Sequence, residues 1–388
     1  MATDMLPSVA ERERGIPTVE TSALRETPVP TAAAARLVSL DALRGFTMFW
    51  IVGGSALMLG LQKLGSNPII DTIVSQLRHT DWQGLRFYDL IWPAFMLMTG
   101  MSLPFSYAKR ALTHTHRQIL LRVLRRAAVL FLLGSLRESV HLNSPYLVEL
   151  SSALQPIGIA YFAAFLLVRR SWRFQVATGG LILAGYALLL AFVPASGAPA
   201  GSYERAANLV RAVDMAVLGR SHAEGWGTVL STIPTIATTI LGLLIGELLM
   251  SRRPATAKIR IIGAIGLSAI ALGWAMDPVA PVIMKLWTTS YGVLSAGWAC
   301  LMFLVFYWIV DARGYRKWAF PFVVIGMNAV AVYMAGTLVP LKKIVGIFTA
   351  GFAVSLGPFG ALFQAIAVLV VEWLILYWMY RRKIFLTA

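Results

Sequence analysis

The sequence predicts an all-α, polytopic integral membrane protein with about ten transmembrane helices, and three observations support this class. Of the 388 residues, 58% are hydrophobic and only 13% are charged, whereas soluble domains are about 25% charged. Apolar runs of roughly twenty residues, the length of a spanning helix, recur along the chain. These runs are continuous, while strands of a membrane β-barrel would alternate apolar and polar residues.

The elements follow from the positions of these runs. Residues 1–36 are polar and have no apolar core typical of a signal peptide, so they are predicted to form a disordered cytoplasmic tail. The predicted spans are 38–61, 85–107, 123–140, 153–168, 174–193, 227–250, 259–276, 287–310, 319–339 and 358–380. The segment 341–357 is apolar and contains glycines. It fits a re-entrant segment, an interfacial segment or an eleventh span, and the sequence does not choose between them. The long loop 194–226 contains a short helical stretch that would lie on the membrane or cover a cavity.

The positive charges predict how the chain is oriented. With the N-terminus in the cytoplasm, 23 of the 34 Lys and Arg residues fall on inner segments and ten on outer segments, and Arg44 lies within the first span. Cytoplasmic loops are enriched in these residues, so both termini are predicted to be cytoplasmic. The same enrichment accounts for the net charge of +16 without a nucleic-acid partner. His79 then lies on the outer side.

Charged and polar residues inside the spans are candidates for function because they are costly in hydrocarbon. Asp41 and Arg44, in "SLDALRGF", share one helix face. They fit either a structural ion pair or a site where Arg44 faces a cytosolic anion such as a phosphate. Asn328 could hydrogen-bond between helices. Glu372 lies deep in the last span and receives no role.

The stretch "LRHTDWQGLRFYDLIWP" carries the clearest chemistry. It places His79 at the outer edge of the second span and Asp89 ten residues later, inside it. An imidazole is a suitable base or transient acyl carrier at neutral pH, and a nearby carboxylate can fix its tautomer. Whether the two side chains touch is left open. No metal site is predicted, because the zinc motifs are absent and Cys300 is the single cysteine.

Two classes of function are compatible with these features. A transporter would place charged residues near broken helices at the midplane, and Pro93, Gly100, Pro104 and Pro234 could break two of the spans. An enzyme would gather a base at one mouth of a cavity. One histidine and one carboxylate at an outer mouth modestly favour the enzyme.

Further motifs identify a resemblance. "LDALRGF" at 40–46 is similar to the first-span motif of membrane acyltransferases, and "HTDWQGLRFYDLIWPAFMLMTGMSL" at 79–103 resembles a more specific signature of the heparan-α-glucosaminide N-acetyltransferase-like family. Blocks similar to that family follow in order. They are "LQPIGIAYF" at 154–162, "EGWGTVLSTIPTIATTILG" at 224–242, "KLWTTSY" at 285–291 and "IGMNAVAVY" at 325–333. The resemblance covers residues 37 to about 380.

The resemblance implies a membrane acyltransferase domain over residues 37–384 with ten or eleven helices. It implies transfer of acetyl from cytosolic acetyl-CoA to a sugar amine on the far side, with His79 and Asp89 as the active-site pair. We expect Arg44 and Asp41 on the donor side. On the acceptor side we expect six residues, namely Trp82, Ser55, Lys285, Ser290, Asn328 and Ser231.

One departure concerns the acceptor. The lysosomal enzyme of the family that this chain resembles has an active-site Asn at the position of Ser55 in this sequence. Heparan sulfate itself is therefore not predicted as the substrate. The sequence-based hypothesis is an acyltransferase of a bacterial inner membrane that modifies an amine or hydroxyl of a glycan. Its predicted partners are the lipid bilayer, the acyl-CoA donor and a glycan or amino-sugar acceptor, and a homodimer is left open. The alternative hypothesis is a secondary transporter of a small anionic or sugar-like solute.

Overall fold

The computed structural model describes residues 37–143, 150 and 152–386. The predicted tail 1–36 lies outside the described residues. The helices are α1 (Val38–Gln62), α2 (Pro68–Gln76), α3 (Ile91–Ala111), α4 (His116–His141), α5 (Leu154–Leu166), α6 (Trp172–Phe192), α7 (Leu209–Leu218), α8 (Thr232–Met250), α9 (Ala255–Met276), α10 (Thr289–Phe306), α11 (Phe320–Met327), α12 (Ala329–Leu338), α13 (Leu341–Ser355) and α14 (Gly360–Arg381). The all-α class is therefore confirmed for the described part of the chain.

Each of the ten predicted spans overlaps a helix or, for 319–339, a bent pair of helices. Within the described residues, six helices are long and apolar enough to cross a membrane, or up to seven if the bent pair α11–α12 is one span. The six are α1, α6, α8, α9, α10 and α14. α5 has only 13 residues. The molecule is consistent with a membrane protein, and the count of ten or eleven crossings stays a prediction.

The fourth helix begins seven residues earlier than predicted. Thr115 caps α4 by accepting a hydrogen bond from the Gln118 backbone N–H at 3.4 Å, while the Thr115 N–H donates to Gln118 Oε1 at 3.0 Å. This reciprocal pair is a common helix-start motif. Residues 116–122, which precede the predicted span 123–140, therefore also lie on the helix.

Two of the prolines that could have broken a span do not do so. Pro104 lies inside α3, which continues to Ala111, and Pro234 lies in the first turn of α8, where a proline is tolerated. The break is instead at Asn328, where α11 and α12 meet at 73°. The second span also starts later than predicted, because a 3-10 turn at Phe87–Leu90 precedes α3.

Glycines allow α3 and α8 to pack with their backbones in close contact. On α3, a Cβ at Gly100 would lie 1.9 Å from the Thr239 carbonyl oxygen of α8, and one at Gly242 would lie 2.1 Å from the Leu97 carbonyl oxygen. Small residues at such crossings are typical of membrane helix pairs. α3, which leads out of the His79 segment, is thereby fixed against α8.

We expect Gly100→Ala to lower the thermal unfolding midpoint of the purified protein clearly. Its methyl group would overlap the backbone of α8, and overpacking a tight contact costs about 1–3 kcal/mol. Gly180→Ala is the matched control, because no atom lies within 4 Å of the added Cβ in α6. Equal midpoints for the two variants would contradict the proposed close packing.

Three loops meet at one end of the bundle and build the site. The Gly84 N–H donates to the Val282 carbonyl at 2.8 Å, and the Gly227 N–H donates to the Lys285 carbonyl at 2.8 Å. These bonds join the loop before α3 and the loop before α8 to the segment between α9 and α10. The long loop contains α7, which starts after Asn208 because that side chain caps the Arg211 N–H at 2.8 Å.

Candidate active site

His79 and Asp89 form a direct pair. His79 Nδ1 lies 2.8 Å from Asp89 Oδ1, the Asp89 side chain is fully buried and the His79 side chain is 37% exposed. Gly84, at φ +114°, lets the loop turn back so that His79 reaches a residue at the start of the helix. The contact that the sequence left open is therefore present.

The surrounding donors fix the Asp89 carboxylate. Thr80 Oγ1 donates to Asp89 Oδ2 at 2.6 Å, and the Arg86 N–H donates to the same oxygen at 2.9 Å. The Arg86 guanidinium also donates to the His79 carbonyl at 3.0 Å. From α10, the Tyr291 hydroxyl donates to the Asp89 carbonyl at 2.7 Å.

This network determines what the imidazole can do. A carboxylate held by donors can only accept, so His79 Nδ1 carries the proton that faces Asp89. The other ring nitrogen, Nε2, then has a free lone pair that can accept a proton or attack a carbonyl carbon. Asp89 can also stabilise the imidazolium once it forms.

Two aromatic rings hold the imidazole from its sides. Tyr88 lies edge-on at 4.8 Å between ring centroids, and Trp226 lies edge-on at 5.2 Å. Trp226 is itself fixed by donating its indole N–H to Glu224 Oε2 at 3.1 Å. Ser55 lies beside the Tyr88 phenol, so it is connected to the His79 environment through that ring.

Lys285 is a buried cation on the same side of the site. Its ammonium donates to the Glu224 carbonyl at 3.0 Å and lies 5.6 Å from the centre of the Trp226 ring. Burial lowers the pKa of Lys285 from its usual value, and Glu224 opposes this shift. The hydrogen bond from Trp226 is the main reason that the pKa of Glu224 is lowered. The ammonium of Lys285, beside the His79 environment, could stabilise a negative charge that develops on a reacting oxygen.

Other residues predicted on the acceptor side support the loops instead of facing His79. Trp82 donates its indole N–H to the Tyr203 carbonyl at 2.9 Å, with the Arg205 guanidinium 5.2 Å above its ring. Ser290 donates to the Pro281 carbonyl at 3.1 Å, and the Ser231 hydroxyl donates to the Gly227 carbonyl. These bonds fix the same loops that carry His79, Trp226 and Lys285.

Asn328 lies at the α11–α12 break and is fully buried. Its Nδ2 donates to the Ile384 carbonyl at 3.2 Å, and its Oδ1 accepts from the Leu386 N–H at 2.8 Å. The side chain that was predicted to contact a substrate therefore binds backbone that follows α14. The adjacent Met327 and Ala329 line a cavity in the bundle.

This cavity lies within the bundle, with about 950 Å³ of space including its opening to solvent. It reaches from Trp92 to Ser102 along α3, roughly 15 Å at 1.5 Å per residue. Its walls are mostly apolar, and Arg44 and Arg126 lie towards the Ser102 end. The predicted partner of Arg44 is confirmed, since its Nη1 lies 3.3 Å from Asp41 Oδ1.

The two ends of this cavity differ in chemistry. At one end, Trp92 lies 6.5 Å from Trp226, the ring that contacts His79. Towards the other end, Arg126 stands 5.0 Å from the centre of the Tyr161 ring. Among the described residues, neither the buried Arg126 Nε nor the Tyr161 hydroxyl has a hydrogen-bond partner. A buried cation and a hydroxyl of this kind suit an anionic, polar ligand group.

Sequence reasoning missed Arg126, Trp226, Glu224 and Tyr88 as site residues. Arg126 fell inside the predicted span 123–140, and a charge within a span was the available signal. Glu224 and Trp226 belong to the block "EGWGTVLST", yet nothing in its spacing indicates contact with a histidine far away in sequence.

Comparison with known proteins gives a coarse functional assignment. No known family profile matches the chain. The chain is 24% identical to human heparan-alpha-glucosaminide N-acetyltransferase over 327 aligned residues, which cover 66% of this chain and 48% of the human protein. The chain thus spans about half the length of the curated relative it matches. This similarity supports an acetyltransferase at a coarse level and agrees with the apolar helices of a membrane protein.

Proposed function

We propose that this chain is a transmembrane acyltransferase that moves acetyl from acetyl-CoA to an amine or hydroxyl of a glycan on the opposite side of the membrane. One observation carries the proposal. The His79–Asp89 pair is connected through Trp226 to Trp92, which lies at one end of a cavity, and Arg44 and Arg126 line the same cavity. A donor with an anionic head and a long thin arm suits such a cavity.

The donor end fits acetyl-CoA in charge and shape. Arg44 and Arg126 would hold the phosphates, for which guanidinium groups are well suited. The apolar walls would surround the pantetheine arm, and the thioester would point toward Trp92. Arg126 replaces Asp41 as the second donor-side residue, because Asp41 would repel a phosphate and serves to orient Arg44.

Two chemical routes use the same histidine. In the first, His79 Nε2 takes the proton of the acceptor as its nitrogen or oxygen attacks the thioester carbon, the C–S bond breaks, and the imidazolium returns the proton to the CoA sulfur. In the second, Nε2 itself attacks the thioester carbon, the C–S bond breaks and CoA leaves as thiolate, which takes a proton from water. The acceptor then attacks the acyl-imidazolium, the N–acyl bond breaks, and the proton that the acceptor loses neutralises the hydroxide left in the first step. Asp89 stabilises positive charge on the ring in both routes.

On the acceptor side, we assign Lys285 and Ser55 to contacts with the acceptor or the reacting oxygen, together with Glu224 and Trp226. Trp82, Ser231 and Ser290 act as positioning residues through the loops.

The proposed protein has ten or eleven spans and cytoplasmic termini, and it lies in a bacterial inner membrane. A homodimer is left open. The positive charges on the predicted inner segments support this orientation.

The proposal is tested with purified protein and radiolabelled acetyl-CoA. We expect release of free CoA thiol and transfer of label to an amino-sugar acceptor such as glucosamine. A panel of sugar amines and hydroxyls then defines the acceptor. If folded protein neither releases CoA thiol nor transfers label to any member of the panel, the acyltransferase assignment is wrong.

Arg126→Ala is expected to raise the KM for acetyl-CoA about tenfold or more while leaving kcat nearly unchanged. A lost charge-assisted hydrogen bond costs roughly 1.5–3 kcal/mol, and this contact is far from the reacting carbon. Arg125→Ala is the matched control, because Arg125 is exposed on the same helix. An equal KM for both variants would remove Arg126 from the donor site.

The transporter alternative retains one supporting observation, the 73° break at Asn328, because broken helices are typical of transporter binding sites. The Asn328 amide, however, is occupied by the backbone of Ile384 and Leu386. A transporter would accumulate a sugar-like or anionic solute in proteoliposomes under an ion gradient, without acetyl-CoA. Uptake of that kind, without acetyl transfer, would favour the alternative.

A further inference from the structure

Glu372 is a carboxyl group in the middle of the last span, α14. It lies about 13 Å along the helix axis from Arg381, where α14 ends. Among the described residues, it has no hydrogen-bond or ion-pair partner. Carboxyl groups at such a depth are rare, and they usually pair with another group or serve a function.

The Glu372 side chain lines a second cavity, with about 990 Å³ of space, between α1, α11, α12 and α14. Apart from Glu372, its wall side chains are apolar or aromatic. The one other polar group on a wall side chain, the Trp373 indole N–H, already donates to the Pro321 carbonyl at 3.1 Å. The carboxyl of Glu372 is therefore the one side-chain group of these walls that is left to bind a polar atom.

Part of the wall of this cavity lies on the apolar outer surface of α14, which lipid would cover in a membrane. Ile366 and Val370, which lie in its wall, are 46% and 50% exposed on the surface of α14. A molecule that enters from the hydrocarbon must itself be uncharged. An ionised carboxylate without a partner is strongly unfavourable there, whereas a neutral carboxylic acid offers one O–H donor.

We propose that Glu372 is a neutral carboxylic acid that binds an uncharged, lipid-soluble ketone or quinone in this cavity by donating one hydrogen bond to its carbonyl oxygen. The position of Glu372 in the middle of the span favours this class of ligand. Glycerolipids hold their ester carbonyls near the membrane surface, whereas a quinone without a charged headgroup can place its carbonyl at the level of Glu372. The inference does not depend on acetyl transfer.

A lipid-soluble carbodiimide tests the protonation state directly. The O–H of a carboxylic acid adds across a C=N bond of dicyclohexylcarbodiimide, with the oxygen bonding to carbon and the proton moving to nitrogen. The acyl group then shifts from oxygen to nitrogen, so the stable adduct retains the mass of the whole reagent. We expect this adduct on the Glu372 peptide at neutral pH, and no adduct from a water-soluble carbodiimide.

Competition identifies the ligand class. We expect decylubiquinone to reduce labelling several-fold, and dodecane, which lacks a carbonyl, to leave it unchanged. Glu372→Gln should abolish the adduct, and Glu247→Gln, which alters a carboxyl bonded to Gln175, should not affect it. Val370→Trp, which fills the mouth of the cavity, should slow labelling while the elution volume of the protein is unchanged.

Four results would overturn the proposal. Labelling by the water-soluble reagent would show a hydrated, ionised carboxylate. Equal protection by dodecane would show an apolar cavity with no carbonyl recognition. Protection by dodecylamine and not by decylubiquinone would show that the group pairs with a cation. Absence of any adduct in folded wild-type protein would also count against a neutral acid that is reachable from lipid.

Discussion

His79→Gln is expected to lower the rate of acetyl transfer by about 10²- to 10⁴-fold, the usual contribution of a general base or acyl carrier. The amide can still hydrogen-bond to Asp89, whose Oδ1 lies 2.8 Å from the native ring, but it cannot take up a proton. We expect kcat to fall and the KM for acetyl-CoA to change little, because the donor head is held at the other end of the cavity. Release of CoA thiol measures both constants.

The matched control is His114→Gln, because His114 contacts Thr113 beyond the opposite end of α3. It should retain full activity. Wild-type activity in His79→Gln would remove the assigned role. The two chemical routes can be distinguished in the absence of acceptor, because only the carrier route transfers radiolabel from acetyl-CoA to the wild-type protein. His79→Gln should not acquire that label.

Asp89→Asn is expected to reduce kcat about 10²-fold or more, although the volume of the side chain barely changes. The amide NH2 would face one of the donors that now surround Oδ1 and Oδ2, and His79 would lose the acceptor that fixes its tautomer. Unfolding should also become easier by about 1–3 kcal/mol, because a buried donor is left unpaired. Kinetics and thermal unfolding measure the two effects separately.

Thr80→Val separates stability from catalysis at this position. It removes the hydroxyl that donates to Asp89 Oδ2 at 2.6 Å but leaves the contact between His79 and Oδ1. We expect a loss of stability similar to that of Asp89→Asn and a much smaller loss of kcat. If the two variants lose the same activity, then Asp89 acts through folding alone and the tautomer argument is wrong.

Much of the fold was predictable because apolar runs are local signals. All ten predicted spans overlap helices of the structure. The predicted ends of the helices were wrong where local hydrogen bonds determine the residue at which a helix begins. Because Thr115 caps α4, this helix begins earlier than the apolar run of the sequence indicates. The 3-10 turn at Phe87–Leu90 makes α3 begin later than predicted. Pro104, which could have broken its span, lies within a helix that continues to Ala111.

The candidate site was predictable only in part, for a similar reason. The spacing of His79 and Asp89 indicated a pair, but their contact depends on the turn at Gly84 and on donors from Thr80 and Arg86. Trp226 and Lys285 come from distant parts of the sequence. They reach the His79 environment because loops between different helices hydrogen-bond to one another, which no periodic pattern encodes.

Oriented proteoliposomes test whether the acetyl group crosses the membrane. Radiolabelled acetyl-CoA is supplied on the side of the Arg44 and Arg126 end, and glucosamine on the side of His79. We expect free CoA thiol in the donor compartment and N-acetylated sugar in the acceptor compartment, with neither product formed by His79→Gln. Labelled product on the donor side, or product formation that is equal in His79→Gln, would contradict this expectation.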